Sequence, residues 1–376
     1  MALTSGLGGQ LSIDLGALAR NWRALDRVSA GALTAAVVKA DAYGMGITMA
    51  SKALHAAGAR FFFVATPDEG MAVRAAVPDA HIFVLNGLYP GAANLYVRQN
   101  LMPVISSVAM LEEWLAKCVE RNEAYPSAFH FDTGMNRLGF RLNEASVVRQ
   151  QIETLGYAPQ MVMSHLACAD TPNHEKNRTQ LALFSSVLNQ FPGIPASLAN
   201  SAGLMSGRDY HFQMVRPGIA LYGGRAVNGR KNPMAAVATL HVPILQVVEA
   251  RTGESVGYGA TYSLSRNSRL AIIAHGYADG FLRSLSGTNM RPGGKVVIRG
   301  KACPVIGRIS MDTTIVDITE LGSDLPSPGE GAEVLGNLIG ADDQADAAGT
   351  IGYEILTSLK QGRYNRSYVG DGNLPA

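Results

Sequence analysis

The sequence predicts a (β/α)8 TIM-type barrel followed by a separate, mostly β C-terminal domain. From about residue 34 to residue 220, short apolar runs alternate with segments of helical spacing, as expected of buried parallel strands and the helices between them. After residue 236 the runs are β-rich and are separated by Gly, Pro and Ser. We therefore expect a barrel over residues 11–232 and a β-rich domain over residues 233–376, with residues 1–10 as candidates for pairing with the second domain.

Eight apolar runs are the candidate strands of the barrel. They are residues 34–39, 61–65, 81–86, 102–106, 128–132, 160–165, 196–200 and 214–219. Between them, apolar residues recur at helical spacing, as in residues 50–57, 110–115 and 173–191. Eight strands with intervening helices favour a closed barrel over an open sheet. The eighth strand has the weakest pattern, because Pro217 cannot donate a hydrogen bond to a neighbouring strand.

The second domain is predicted from five β-rich runs and one helical segment. The runs are residues 238–250, 269–277, 295–300, 303–309 and 313–319, and the helical segment is residues 351–361. The linker that precedes them is expected near residues 223–234, which are rich in Gly, Lys and Arg.

Composition and charge argue against several classes of protein. Lys and Arg number 32 against 30 Asp and Glu, and the sequence lacks the basic stripe with interleaved aromatic residues that a nucleic-acid partner would need. Cys118, Cys168 and Cys303 form no CxxC spacing, so neither a disulfide scaffold nor a metal site is expected. The sequence also lacks a signal-peptide pattern and an apolar run long enough to span a membrane. We expect a cytoplasmic enzyme.

Polar residues lie at the predicted C-terminal ends of five barrel strands, where barrel enzymes carry out their chemistry. They are Lys39, residues 132–137, Ser164 and His165, Asn200 and Ser201, and Arg216 with Gly218 and Ile219. The Ser201 hydroxyl and the N–H groups of Gly218 and Ile219 lie where barrel loops commonly hold a phosphate. A lysine beside a phosphate site indicates a Schiff base between Lys39 and pyridoxal 5′-phosphate, because the preceding apolar strand would desolvate the amine.

Each of these residues also has an ordinary structural interpretation. Lys39 could be an edge lysine that extends into solvent, and His165 could be a hydrogen-bonded histidine near the core. Arg137 and Arg216 could form salt bridges at the rim. A metal site at His165 and Cys168 would lack further ligands. From the residues alone, a barrel enzyme that acts on a phosphosugar through Lys39 remains an alternative.

Nine segments, in order along nearly the whole chain, carry a more specific pattern. They are VVKADAYGMG (37–46), DTGMNRLGF (132–140), SHLACAD (164–170), NSAG (200–203), RPGIALYG (216–223), VGYGATY (256–262), HGYADG (275–280), GRISMD (307–312) and IGYEIL (351–356). Together they closely resemble the bacterial, pyridoxal-phosphate-dependent alanine racemases. The resemblance implies a barrel plus a β-domain, a homodimer, and interconversion of L- and D-alanine that supplies D-alanine for peptidoglycan.

The resemblance assigns two residues to catalysis. Lys39 would carry the cofactor and act as the base on one face of the substrate Cα, and Tyr258 of the partner subunit would act on the other face. Racemisation needs two such groups, because one immobile base tends to return the proton to the face from which it came. A tyrosine is normally protonated at neutral pH, so cationic neighbours must lower its pKa, and His165 and Arg216 are the candidates.

The resemblance also assigns binding roles. The cofactor-binding set is Lys39, Tyr43, His165, Ser201, Arg216, Gly218, Ile219 and Tyr353. Arg216 would hydrogen-bond the pyridine nitrogen and leave it unprotonated, which should restrain side reactions such as transamination. Arg137 and the backbone N–H of the partner's Met311 would bind the substrate carboxylate. Tyr277 and Asp312 would line the path by which the substrate enters.

Two positions depart from the family pattern. Many members have a carbamylated lysine two residues before the DTGM aspartate, where this chain has His130. We therefore expect no carbamate, and instead another anion such as chloride, or a neutral partner, near Arg137, with Asn136 as a candidate for holding that arginine. In residues 363–370 (RYNRSYVG) the usual Pro between two Arg is absent, which leaves Arg366 with at most a structural role.

Three alternatives remain on the same type of scaffold. A racemase of serine, or of larger or basic amino acids, is the nearest, although four bulky side chains would crowd anything larger than a methyl group. These side chains are Tyr258, Tyr277, Met311 and Tyr353. A pyridoxal-phosphate carrier without turnover would need no second base. A decarboxylase would retain Lys39 and the phosphate site, but would release CO2.

Overall fold

The computed structural model describes residues 8–29 and 31–370, which divide into two compact units. The first unit contains Leu18–Ala42 and Gly46–Met234. The second contains the described residues up to Ala17, the short segment Tyr43–Met45, and the described residues from Ala235 onward. Within the described ranges, no helix is both long enough and apolar enough to cross a membrane.

Eight parallel strands form a closed barrel in the first unit, which confirms the predicted fold class. The strands are Leu33–Thr34 with Ala36–Val37, Phe61–Val64, His81–Val84, Met102–Ile105, Ala128–His130, Met161–Met163, Ala196–Ser197 and Met214–Val215. The last strand closes the barrel by pairing in parallel with Leu33–Thr34 on one side. On its other side, Gln213 N donates to Ala196 O at 3.1 Å and Arg216 N donates to Ala199 O at 2.9 Å.

Helices of the first unit alternate with these strands. The α-helices are Leu15–Ser29, Ile47–Ala57, Pro67–Ala76, Ala93–Arg98, Val108–Arg121, Ala145–Thr154, Glu175–Leu188 and Ser201–Ser206, and the 3₁₀ helices are Leu142–Glu144, Arg208–Tyr210 and Ile219–Tyr222. Helix Leu15–Ser29 begins in the second unit and continues into the first. Buried apolar residues such as Phe62 and Phe129 lie on the strands that these helices cover.

The observed strands are shorter than the predicted ones. The ladders end before Lys39, His165 and Ser201, so these residues lie in the connections at the C-terminal rim rather than on the strands. Pro217 nevertheless takes part in the barrel wall, because its carbonyl oxygen accepts a hydrogen bond from Val37 N at 3.1 Å. The eighth strand therefore tolerates the proline, since its acceptor rather than its missing donor faces the first strand.

The second unit is built on an eight-stranded, mostly antiparallel sheet. Six strands follow one another in the order Lys301–Pro304, Lys295–Ile298, Gly331–Leu335, Ala238–Ala250, Gly9–Asp14 and Tyr364–Val369. The long strand Ala238–Ala250 also pairs with Ser268–Ile273, which pairs with Thr314–Asp317. A separate hairpin joins Ser255–Val256 to Tyr262–Ser263. The helices are Ala341–Ala348 and Gly352–Ser358, with 3₁₀ turns at Tyr258–Ala260, Tyr277–Asp279, Arg283–Leu285, Thr319–Leu321 and Leu359–Gln361.

The start of the described chain lies in this sheet. Strand Gly9–Asp14 pairs antiparallel with Ala238–Ala250 and in parallel with Tyr364–Val369. Residues 11–14 were expected in the barrel, so that part of the predicted boundary is wrong. The reason is local, because Leu11 and Ile13 are fully buried and alternate with half-buried polar residues, as in a strand with one face on a core. Of residues 1–10, the first seven lie outside the described chain.

Candidate active site

Lys39 lies at the rim of the barrel, immediately before an unusual turn. Residues 40–43 all have φ between 54° and 56°, which makes them a left-handed helical turn without a glycine. This conformation costs a non-glycine residue roughly 1–2 kcal/mol, so neighbouring groups must hold it. Asp41 supplies two of the restraints, since its Oδ1 accepts from Ile47 N at 2.8 Å and its carbonyl accepts from Gly46 N at 2.9 Å. Lys39 is half-buried at the start of this turn.

The surroundings of Lys39 lower the pKa of its amine. Burial lowers the pKa of Lys39, and the nearby cation of Arg137 lowers it further, whereas the carboxylate of Glu69 partly raises it. A lowered pKa makes more of the amine neutral at a given pH. A neutral amine is the form that attacks a carbonyl group or accepts a proton.

Arg216 places a buried cation inside the barrel mouth. Only 4% of the residue is exposed, and its guanidinium donates hydrogen bonds to Ser197 Oγ and, at 2.6 Å, to Ser164 O. Its Nη2 also lies 3.4 Å from His165 Nδ1. Burial lowers the pKa of Arg216 to about 9, so the side chain still carries its proton at neutral pH. It can therefore offer a fixed, charged hydrogen-bond donor.

The two histidines of the mouth are neutral. The pKa of His165 lies well below its usual value because of burial, followed by the cations of Arg216 and Arg137. Burial and the same two arginines lower the pKa of His130 to about 3. The prediction that His165 is a cation available to a tyrosine base is therefore wrong, because burial disfavours the charged imidazole and the adjacent arginines repel a further positive charge. Of the two candidates for that role, only Arg216 is charged.

Ser201, Gly218 and Ile219 come together at the ends of the seventh and eighth strands. Asn200 begins helix Ser201–Ser206 by accepting from Gly203 N at 2.9 Å. This orients Ser201, whose Oγ accepts from Gly218 N at 2.8 Å and from Ala220 N at 3.3 Å. Because Ser201 Oγ is the acceptor in both bonds, its own proton can be donated elsewhere, and a hydroxyl donor at the start of the 3₁₀ helix Ile219–Tyr222 is suited to a phosphate.

The loop that carries Arg137 is organised by a buried carboxylate. Asp132 Oδ1 accepts from the backbone N–H groups of residues 134–136 at 2.8–3.1 Å, and its Oδ2 accepts from Arg141 Nη1 at 2.9 Å. These bonds hold the pKa of Asp132 below its usual value against the opposing effect of burial. Arg137 is exposed at the tip of the loop. The oxygen of Asn136 accepts from Arg141 at 3.1 Å, so Asn136 contacts that arginine.

The second unit collects Tyr258, Tyr277, Met311 and Asp312 on neighbouring loops. Tyr277 N donates to Ser310 O at 3.1 Å and Ala278 N donates to Met311 O at 3.0 Å. This close approach requires Gly276, since a Cβ there would lie 2.3 Å from Met311 O. The loop that begins at Gly257 likewise packs against Arg308, whose backbone nitrogen would lie 3.2 Å from a Cβ at position 257. Tyr258, the next residue of this loop, is 71% exposed.

Asp312 is held by an ion-pair network in the same unit. Arg363 donates to Asp312 Oδ1 at 2.8 Å and to both carboxylate oxygens of Asp279, at 2.7 and 2.9 Å. The Asp279 side chain is buried, whereas those of Arg363 and Asp312 are exposed. The arginine therefore connects the loop of Tyr277 to that of Met311.

Tyr43 and Tyr353 also meet in the second unit. Their ring centroids are 6.0 Å apart, and the ring planes are tilted by 45°. Burial raises the pKa of Tyr43, so its phenol stays protonated and can donate a hydrogen bond. Arg366 Nη2 donates to the carbonyl of the next residue, Gly44, at 3.0 Å. Arg366 thus has a structural role, joining the last strand to the segment that carries Tyr43.

Comparison with known proteins identifies the family. Residues 13–226 match the profile "Alanine racemase, N-terminal domain", and residues 237–368 match "Alanine racemase, C-terminal domain". The chain belongs to the alanine racemase family. It is 47% identical to the alanine racemase of Rhizobium meliloti (strain 1021), over 96% of this chain and 97% of that one. It is also 47% identical to the biosynthetic alanine racemase of Agrobacterium fabrum (strain C58 / ATCC 33970), over 96% and 93% of the two chains.

A solved alanine racemase shares the fold. The crystal structure of the enzyme from Bartonella henselae, with covalently bound pyridoxal phosphate, matches with a TM-score of 0.90 at 36% identity, covering 96% of this chain and 99% of that one. The family resemblance predicted from the nine motifs is therefore confirmed.

Several residues around the alanine racemase motifs were missed in the sequence. They are Glu69, Arg141, Ser197, Gln180 and Arg363. Most of them act through contacts that are distant in sequence, such as Arg216 with Ser197, and no local pattern reveals these. Glu69 did have a partial signal, since Thr66 and Glu69 form the T-x-x-E pattern of a capping box at the start of helix Pro67–Ala76. That pattern predicts a helix start, but not a contact with the residue after Lys39.

Proposed function

We propose that the chain is a pyridoxal-phosphate-dependent alanine racemase that works as a homodimer in the cytoplasm. The observation that carries the proposal is the half-buried Lys39, with its lowered pKa, at the rim that also bears Arg216 and a phosphate-type donor set. Family membership over both units supports the same activity. The product D-alanine would serve peptidoglycan synthesis, in keeping with the biosynthetic relative.

The residues at the barrel rim fit the cofactor. The lowered pKa of Lys39 favours the neutral amine that would bond covalently to the aldehyde, and Arg216 would offer a charged donor to the pyridine nitrogen. Ser201, Gly218 and Ile219 would hold the phosphate, and the family resemblance adds Tyr43 and Tyr353 at the phosphate and His165 by the ring. When bound, the cofactor withdraws electrons from the substrate Cα and so makes its proton labile.

Proton transfer would use one base on each face of the substrate. Lys39 Nζ would take or return the proton on one face, because its lowered pKa favours the form that can accept it. The partner subunit's Tyr258 would do the same on the other face. The exposure of Tyr258 in the single chain, 71%, is what a residue that serves a neighbouring subunit requires.

Arg216 would restrict the chemistry to racemisation. Because Arg216 retains its own proton at neutral pH, it would donate a hydrogen bond to the pyridine nitrogen without protonating it. This contact would keep the cofactor a weaker electron sink and so restrain side reactions such as transamination.

Substrate recognition would depend on the charge of Arg137 and on the bulk of the side chains around the substrate. The exposed Arg137 would pair with the substrate carboxylate, together with the backbone N–H of the partner's Met311. Tyr277 and Asp312 would line the path by which the substrate enters. The bulk of Tyr258, Tyr277 and Tyr353 favours a methyl side chain over the side chain of lysine.

The proposed activity is tested by incubating the purified holoenzyme with L-alanine, L-serine and L-lysine and separating the enantiomers by chiral chromatography. We expect D-alanine to form fastest, and Lys39→Ala to lose both turnover and the visible absorbance of the bound cofactor. Faster racemisation of serine or lysine would instead support the nearest alternative. Release of CO2 without D-alanine would contradict the proposal.

A further inference from the structure

Glu69 contacts the ends of two neighbouring barrel strands. It lies in the first turn of helix Pro67–Ala76, where a glutamate is expected to cap the helix start. Its Oε1 accepts from Ala40 N at 2.6 Å, and its Oε2 accepts from Ala65 N at 2.8 Å. The capping bond from Thr66 N to Oε2 is longer, at 3.4 Å. The short bonds show that the principal partners of this carboxylate lie at the barrel mouth.

The hydrogen bond from Ala40 N restrains a stretch of backbone that has an unfavourable conformation. Ala40 directly follows Lys39 and is the first residue of the left-handed turn formed by residues 40–43. L-residues other than glycine avoid this conformation, so the turn depends on the hydrogen bonds that hold it, including those of Asp41 and this one to Glu69. The direction in which the Lys39 side chain leaves the backbone depends on the same peptide. A bond to Ala40 N is thus also a restraint on Lys39.

We infer that Glu69 is a positioning residue for Lys39, which it holds toward the cofactor by fixing the peptide between Lys39 and Ala40 to the end of the second strand at Ala65. The statement that Lys39 is held toward the cofactor rests on the proposed function, whereas the hydrogen bonds of Glu69 do not depend on it. Glu69 touches neither substrate nor cofactor in this assignment. Its effect passes through the backbone and through its charge.

The charge of Glu69 acts on Lys39 in a defined direction. The groups that face the Lys39 amine are the cation of Arg137, the carboxylate of Glu69 and the neutral His165. Glu69 is the one among these three that raises the pKa of Lys39. Replacing it by an uncharged residue therefore lowers the pKa of Lys39 further.

Hydrogen–deuterium exchange of the full chain, with and without cofactor, tests the restraint. We expect Glu69→Ala and the milder Glu69→Gln to speed exchange of the peptide covering residues 39–46 by about tenfold or more, because the hydrogen bond from Ala40 N to the carboxylate is lost. Thr66→Ala is the matched control, since it removes a cap of the same helix and leaves the carboxylate in place. Unchanged exchange in both Glu69 variants, or an equal change in Thr66→Ala, would overturn the inference.

A second readout separates positioning from simple stability. The rate at which cofactor-free chain attaches pyridoxal 5′-phosphate is followed across pH, with borohydride trapping and mass spectrometry of the Lys39 peptide. The midpoint should move to lower pH in Glu69→Gln and stay in place in Thr66→Ala. An unmoved midpoint in Glu69→Gln would contradict the assigned charge effect. Failure of the wild-type chain to attach the cofactor at all would instead refute the proposed function.

Discussion

Single residues in this protein are tuned by burial and by neighbouring charge. His275 is a clear case, since it is 2% exposed and burial lowers its pKa to about 4, outweighing the opposing effect of Asp279. The unfolded chain takes up this proton near pH 6.5, whereas the folded chain does not until about pH 4. Stability is therefore fully present above pH 6.5 and falls as the pH drops toward 4, by up to about 1.4 kcal/mol per pH unit.

This dependence predicts the behaviour of a His275→Gln variant. Its melting temperature should fall less between pH 7 and pH 5 than that of the wild type. The reason is that the variant lacks the imidazole whose protonation favours the unfolded chain. The exposed His81 provides the control, and His81→Gln should keep the wild-type dependence. Calorimetry at the two pH values measures both variants. An identical fall in His275→Gln and in the wild type would contradict the buried, neutral assignment.

His130 leads to a prediction about anions. Because the pKa of His130 lies at about 3, this side chain cannot carry charge of either sign near Arg137 at neutral pH. The Asp132 carboxylate is already bound by three backbone N–H groups and Arg141. We therefore expect a solvent anion to support Arg137, so that KM for alanine falls several-fold when chloride replaces gluconate, and bicarbonate has no effect. A KM indifferent to chloride, or activation by bicarbonate, would count against this expectation.

At the scale of elements, helix Glu175–Leu188 is joined to the barrel mouth by one buried side chain. Gln180 is fully buried, accepts from Ala167 N at 2.8 Å, and donates to His165 O at 2.9 Å and to Thr133 Oγ1 at 3.2 Å. It thereby ties the ends of the fifth and sixth strands to the helix. Such a side chain holds His165 in place through its backbone.

Replacing Gln180 should therefore be costly. Gln180→Leu leaves buried donors and acceptors without partners, at about 1–3 kcal/mol for each such group. Ser185→Ala changes an exposed residue on the same helix and should alter stability by no more than about 0.5 kcal/mol. Urea unfolding of the two variants provides the comparison. Equal stabilities would show that the network contributes nothing.

The strands were more predictable than their ends. Continuous apolar runs such as Phe61–Val64 reveal buried strands because both faces must be covered. The turn at residues 40–43 has no local signal, because it contains no glycine and depends on distant groups such as Glu69. The strand Gly9–Asp14 shows the expected alternation, but its membership of the second unit follows from partners more than 200 residues away. Local pattern determines an element, whereas long-range contacts determine its partner.

The residues of the candidate site also divide into those that local sequence pattern locates and those that it does not. Lys39, Ser201 and Arg216 could be located because the ends of parallel strands meet at one rim of a barrel. The roles proposed for Tyr258 and Met311 came only from the family motifs, since no barrel rule refers to a second domain. The charge state of His165 could not be predicted, because it depends first on how deeply the fold buries the imidazole and then on how closely Arg216 approaches it.

For the whole molecule, the proposed exchange of residues between subunits predicts complementation. Lys39→Ala and Tyr258→Phe should each be nearly inactive as homodimers. After the two are mixed and reassociated, half of the dimers contain one of each chain, and one of their two sites has both bases. Activity should then recover to about a quarter of the wild-type value. No recovery, with mixed dimers verified by mass spectrometry, would show that Lys39 and Tyr258 act within one chain.

In the proposed mechanism, two different groups exchange protons with opposite faces of the substrate Cα. The decisive test is to incubate Tyr258→Phe holoenzyme in D2O with L-alanine and, separately, with D-alanine, and to measure deuterium at Cα. We predict that exchange persists from one enantiomer, through Lys39, and falls by about 10²–10⁴-fold from the other. Undiminished exchange from both enantiomers would contradict it.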